Sequence, residues 1–212
     1  MVWLILSIIL ILSWHFVMQS KQSTAFLRAA QWHNHVNAVR ASVQMRDWLT
    51  NRASLTARLV ARCRQFRVQR LHQGRAICLA DEFAEIGLAR PLKVIEREVL
   101  LRCDGEVMVY AHTVVPMTAN ATQWPLFAAL GEKSLGSTLF SDPLVQRCAL
   151  SYARLRPGHA LMQRIRDLRL LDDDAVSLLA RRSVFRRKGA CLLVTEVFLP
   201  RIASLKDTSG EY

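Results

Sequence analysis

Two charged side chains stand where charge is costly. Arg97 lies in the stretch Lys93–Pro116, KVIEREVLLRCDGEVMVYAHTVVP, on the same alternate positions as Ile95, Val99 and Leu101, while Glu96, Glu98 and Arg102 take the other side. Glu196 lies in Ala190–Pro200, ACLLVTEVFLP, and shares a face with Leu192, Val194 and Phe198. Removing a guanidinium or a carboxylate from water costs several kcal/mol or so unless a counter-charge or hydrogen bonds offset it. The sequence leaves two explanations open. The two residues pair with each other and do nothing more, or both line one cavity. In the second case the planar fork of Arg97 binds a ligand carboxylate, and Glu196 meets a hydroxyl or moves a proton. No Ser-His-Asp order, H-E-x-x-H, P-loop or G-x-G-x-x-G accompanies them, so the chemistry indicated is small, organic and metal-free.

The elements that must hold these residues are two hairpins. Asp104-Gly105 is a strong hairpin signal between alternating strands, and Lys188-Gly189 closes a second hairpin from Arg182 to Pro200. The last strand is apolar at nearly every position and should be central, covered on both faces. Around them the spacing predicts short helices over Asp47–Leu59 with Ser54 as a cap, and a strand Phe66–His72 closed by Gly74. A helical turn is predicted over Asp81–Leu88 and a short helix near Pro125–Leu130. Between Gly131 and Ser137 the glycines bound a turn whose N–H groups could meet an anion. Ser141-Asp142-Pro143 predicts the cap of a helix to Arg154, and His159–Arg169 is periodic and basic. Asp172-Asp173-Asp174 reads as the cap of a helix through Ala180 rather than a metal site, because the EF-hand spacing and glycine are missing.

At 212 residues and 51% hydrophobic, the chain supports one cored domain with an extension. The expected division is an apolar segment at 1–19, a polar connector at 20–45, the domain at 46–205 and a tail at 206–212. His33-x-His35 in the connector lacks a third metal ligand. Five scattered cysteines without C-x-x-C indicate a reducing compartment and small core residues. The formal charge of +12 attracts anions, but no aromatic RNP strand, finger spacing or helix-turn-helix supports nucleic-acid binding. Residues 2–18 are nearly all apolar and just long enough to span a bilayer. With Lys21 and Arg28 following, they would leave the bulk of the chain in the cytoplasm, near the inner membrane; alternatively translation begins at Met18 or Met45.

Glu96-Arg97-Glu98-Val99-Leu100-Leu101, Cys103-Asp104-Gly105, Thr113-Val114-Val115-Pro116, Leu135-Gly136 with Phe140, Ala180-Arg181-Arg182-Ser183 and Leu193–Pro200 occur in an order and spacing that resembles the chorismate pyruvate-lyases. Ser54-Leu55-Thr56 is similar to that family's first helical segment, and the resemblance runs from about Arg46 to Pro200. It implies an α+β fold, an antiparallel sheet of about six strands with helices covering one side and flapping over an enclosed ligand site. It implies elimination of pyruvate from chorismate to give 4-hydroxybenzoate, the ring precursor of ubiquinone, by a cytoplasmic monomer with no metal or organic cofactor. Carried over residue by residue, Arg97 binds the aromatic acid's carboxylate, and Leu135 contributes its backbone there. Glu196 meets the ring hydroxyl, and Leu55 adds a contact, departing from the methionine of the best-known member. Effector-sensing domains of some bacterial regulators resemble this fold, so a non-catalytic small-carboxylate-binding module is the rival reading.

Overall fold

A computed structural model describes residues 29–205 except 126 and 173. The expected apolar segment at 2–18 and the tail at 206–212 lie outside the described residues. Among the described residues no helix is long and apolar enough to cross a membrane. All five cysteines are free thiols.

Six strands form one antiparallel sheet in the order β1-β2-β3-β6-β5-β4. They are β1 (Phe66–Ile77), β2 (Lys93–Cys103), β3 (Glu106–Pro116), β4 (Gln146–Leu155), β5 (Leu178–Arg187) and β6 (Ala190–Phe198). Both predicted hairpins form. Their tips place Asp104 and Gly105 at φ 51° and 85°, and Lys188 and Gly189 at φ 47° and 77°, the left-handed pair that suits the twist of two adjoining strands. β6 is interior, between β3 and β5, as its apolar run requires.

Three α-helices cover one face: α1 (Val43–Thr50), α2 (Leu55–Val60) and α3 (Leu135–Ser141). Ser42 and Ser54 cap the first two by accepting from the N–H of Met45 and Ala57. Trp48, Leu49, Leu55 and Leu59 pack here on Val99, Leu101 and Ala111, and Trp124, Phe127, Leu135 and Leu139 pack on Val115, Phe185 and Leu192. The opposite face carries α4 (Ala160–Asp167), whose Leu161, Met162 and Ile165 pack on Leu100, Tyr110, Ala180 and Val197. A run of turns through Ile86 completes that side. At about 25 cal/mol per Å² of apolar surface, these two layers supply the main stabilisation of the sheet.

Several expectations are corrected. Pro143–Arg154 is not a helix. Asp142 accepts from the Leu144 N–H and from Arg187 Nε, which ties a turn that releases the chain into β4. Asp172 accepts from the Ala175 N–H in another turn, and Leu178–Ala180 opens β5 instead of closing a helix, because pairing with β6 outweighs the local preference of Leu and Ala. β1 continues through Gly74 to Ile77. The segments at 81–88 and 125–130 are turns, Leu126 apart. The expected connector is partly structured: a 3-10 helix (Val36–Val39) buries Val39, Ala41 is buried, and His33 bridges backbone to backbone with Tyr152 on β4.

Candidate active site

The register of the sheet fixes where Arg97 and Glu196 stand. Arg97 is opposite Thr113, which is opposite Val194, which is opposite Ser183. The next row on the same face is Val99, Ala111, Glu196 and Arg181. Arg97 and Glu196 are thus two strands and two residues apart, a diagonal of about 12 Å between Cα atoms, with the small side chains of Thr113 and Ala111 between them. The four residues singled out from the sequence, Leu55, Arg97, Leu135 and Glu196, all line one cavity between this face and its cover.

Arg97 and Glu196 do not pair. Arg97 is 2% exposed, and among the described residues no carboxylate lies within ion-pair distance of it. Its Nη2 donates to the carbonyls of Gly131 (3.1 Å) and Lys133 (3.0 Å), and its Nε is buried without a partner. The loop before α3 thus offers two carbonyl oxygens to Arg97. Burial, helped by the nearby Arg70 charge, pulls the Arg97 pKa down to about 10, so the group remains a cation near neutrality.

Glu196 pairs instead with Arg181, Nε to Oε2 at 2.5 Å. Arg181 is 1% exposed, and its Nη1 donates to the carbonyls of Trp48, Leu49 and Asn51 at the end of α1. A fully buried arginine thus holds Glu196 in place and ties the sheet to its cover. From the sequence, Arg181, Arg182 and Arg187 read as surface or structural residues that could otherwise reach the enolpyruvyl carboxylate of chorismate, and the bonds of Arg181 make it structural. The signal was available in retrospect, since two interior antiparallel strands with one acid and several arginines have few registers that leave no buried charge unpaired.

The cover is shaped for close approach. The N-terminal ends of α2 and α3 meet where the hydroxyls of Thr56 and Ser134 hydrogen-bond. A Cβ on Gly136 would stand 3.0 Å from Thr56 Oγ1 and 3.3 Å from Ser54 Oγ, which accounts for glycine after Leu135. The cavity beneath measures about 50 Å³. That holds water and is short of the roughly 300 Å³ at which ligand pockets begin.

On the opposite face Glu96, Glu98 and His112 bring three metal-binding types of atom within 4.8 Å of one another. The group is already neutralised from within. Arg164 Nη1 donates to both glutamates, the Tyr110 hydroxyl donates to Glu98, and His112 lies 2.9 Å from Glu82 and 3.5 Å from Glu98. The surrounding carboxylates, Glu82 foremost, outweigh burial and raise the His112 pKa to about 10. A divalent ion there would face two resident cations, so the cluster reads as a structural network.

Comparison with known proteins adds to this geometry. A family described as "Chorismate lyase" matches residues 26–207. A protein of Cupriavidus metallidurans named "Probable chorismate pyruvate-lyase" is 47% identical over 82% of this chain and 81% of its own. A protein of the same name from Nitrosomonas europaea is 39% identical over 81% of this chain and 95% of its own. Among solved structures, PhnF from Mycobacterium smegmatis shares the fold, with a TM-score of 0.51 at 16% identity over 71% of this chain and 65% of that one.

Proposed function

The chain belongs to the chorismate lyase family, and from that premise we propose that it eliminates pyruvate from chorismate, leaving 4-hydroxybenzoate as the ring precursor of ubiquinone. The observation that carries this reading to particular residues is a cavity with a cation at one end, a paired carboxylate at the other and small side chains between. Arg97 takes the ring carboxylate. Its buried Nε lacks an acceptor, and an unsatisfied buried donor costs about 1–3 kcal/mol that a bound carboxylate would recover. Glu196, fixed by Arg181 through Oε2, presents Oε1 to the ring hydroxyl para to that carboxylate. Leu55 and Leu135 close over the ring from α2 and α3.

In the elimination a proton leaves the ring carbon that bears the hydroxyl, the ether bond on the neighbouring carbon breaks, and the ring becomes aromatic. Enolpyruvate departs and takes up a proton as pyruvate. Aromatisation supplies the driving force. The protein holds the reacting carbons in shape and stabilises the developing charge. Glu196 is the group placed to accept that ring proton or to orient the hydroxyl next to it.

The test is to incubate purified, folded protein with chorismate and measure pyruvate and 4-hydroxybenzoate. Equal amounts of both, formed with turnover, are the expected result. A folded sample that binds 4-hydroxybenzoate and forms no pyruvate would leave the non-catalytic binding module in its place.

A further inference from the structure

Chorismate carries two carboxylates, and the site described so far accounts for one. We propose that Arg147, on β4, is the second anion-binding residue and holds the enolpyruvyl carboxylate of the substrate. This rests on the chorismate reading above.

Three other buried arginines are committed elsewhere. Arg181 spends Nε on Glu196 and Nη1 on three carbonyls. Arg182 is on the opposite face, bound to the Asp81 carbonyl and to Glu85, with its guanidinium over Trp32. Arg187 donates to Asp142 and to the carbonyls of Thr122 and Gln123. Arg147 differs from all three in lining the same cavity as Arg97 and Glu196 with, among the described residues, no carboxylate within ion-pair distance. Its Nη1 makes a single bond to the Arg52 carbonyl, and its Nε, like that of Arg182 on the other face, is buried without a partner. Its guanidinium stands 5.4 Å from the Phe140 ring centre and 5.5 Å from that of Phe185, which orient the head without neutralising it.

Position matches the chemistry. Arg147 pairs with Phe185 across β4 and β5, and cross-strand partners share a face. Along the sheet Arg97 lies two strands to one side of Glu196, and Arg147 lies two strands to the other. Arg147 is also two residues off the Arg97 row along the strands, so the two arginine Cα atoms are about 20 Å apart, spanned by two long side chains that line one cavity. In chorismate the ether is on the carbon next to the hydroxyl and away from the ring carboxylate. With the carboxylate on Arg97 and the hydroxyl on Glu196, the enolpyruvyl arm projects sideways from the Glu196 end of the ring, and Arg147 lines the cavity to the side of that end. The Glu196 charge is felt at Arg147, where it opposes the larger effect of burial, which lowers the arginine's pKa.

The experiment compares two ligands that cannot react. One is 4-hydroxybenzoate, with one carboxylate; the other is 3-(1-carboxyvinyloxy)benzoate, an aromatic ether with both. Calorimetry on Arg147→Met should show the dicarboxylate weakened about tenfold to a hundredfold, the worth of a charge-assisted hydrogen bond, and 4-hydroxybenzoate changed by less than about twofold. Arg147→Lys, which keeps the cation without the fork, should fall between, and also serves if the methionine variant folds poorly. Arg97→Met should weaken both ligands. Equal weakening of both ligands by Arg147→Met and Arg147→Lys, or no weakening of the dicarboxylate, overturns the proposal. Absence of pyruvate from the wild-type protein would count against the chorismate reading instead, since the ligand comparison needs no turnover.

Discussion

The two faces of one sheet carry almost the same residue types in opposite arrangements. On the covered face that holds the cavity, Arg97, Arg147 and Arg181 stand against one carboxylate, Glu196, and among the described residues neither Arg97 nor Arg147 has a carboxylate within ion-pair distance. On the other face, Glu82, Glu96, Glu98 and Glu85 are each within ion-pair distance of His112, Arg164 or Arg182. Adjacent residues on β2 show the contrast: Arg97 points to the side with unpaired cations, while Glu96 and Glu98 point to the side where charges meet their partners. A buried network that is neutralised internally holds a fold together. One left with surplus cations and a cavity is arranged for an anion that arrives from outside.

Mutations should separate the faces. Arg97→Met is expected to lower kcat/KM by about 2–5 kcal/mol, while the protein stays folded, because the lost partner is the ligand. On the other face Arg164→Met leaves Glu96 and Glu98 without their shared cation, and should cost about 3 kcal/mol of unfolding free energy by denaturant titration with kcat/KM unchanged in the folded fraction. If Arg164→Met abolished turnover without loss of stability, the division of labour between the faces would be wrong. Glu196→Gln keeps an oxygen for Arg181 and should reduce kcat about a hundredfold with little change in melting temperature. Full activity in that variant would leave Glu196 only a hydrogen-bonding role.

The structural face also sets a pH dependence. The folded-state pKa of His112 is raised to about 10, so its contribution is complete below the unfolded value near 6.5 and is lost as pH rises through 10. Glu98 and Asp81 are each lowered to about 2 against the opposing effect of burial, Glu98 by His112, Tyr110 and Arg164 and Asp81 by His159, Trp32 and Arg182; their contribution holds above the ordinary carboxylate range and is lost as pH falls toward 2. Stability measured by chemical denaturation should therefore be greatest near pH 5–6 and fall on both sides, at a limiting slope of about 1.4 kcal/mol per pH unit for each group. His112→Gln should remove most of the alkaline limb. The smallest effect is expected from Gly136→Ala. Its Cβ would press Thr56 Oγ1 at 3.0 Å and part α2 from α3, which should change ligand off-rates severalfold and alter stability by less than about 1 kcal/mol.

Much of the fold was legible because its strongest signals are local. Both hairpins depend on an X-Gly pair that tolerates left-handed backbone, and β6 reads as central from its unbroken apolar run. What was not legible depends on distant partners. β4 and the start of β5 carry residues that favour helices, and only pairing within the sheet makes them strands. That error concealed Arg147, since a residue placed on a surface helix gives no reason to look for it in a cavity. In the site, Arg97 and Glu196 stood out because alternation puts each on an apolar face. Their separation did not, because which charges pair is decided by register across β2, β3, β6 and β5, and the partner of Glu196 proved to be Arg181.

The central claim is that an aromatic acid lies between Arg97 and Glu196. It is tested most directly by determining the structure of the protein with 4-hydroxybenzoate bound. The expected result is the carboxylate within hydrogen-bond distance of Arg97 and the hydroxyl on Glu196, with α2 and α3 displaced to admit the ring. A ligand bound in the reverse sense, with its carboxylate against Arg181 or Arg147, or one bound outside this cavity, would contradict it.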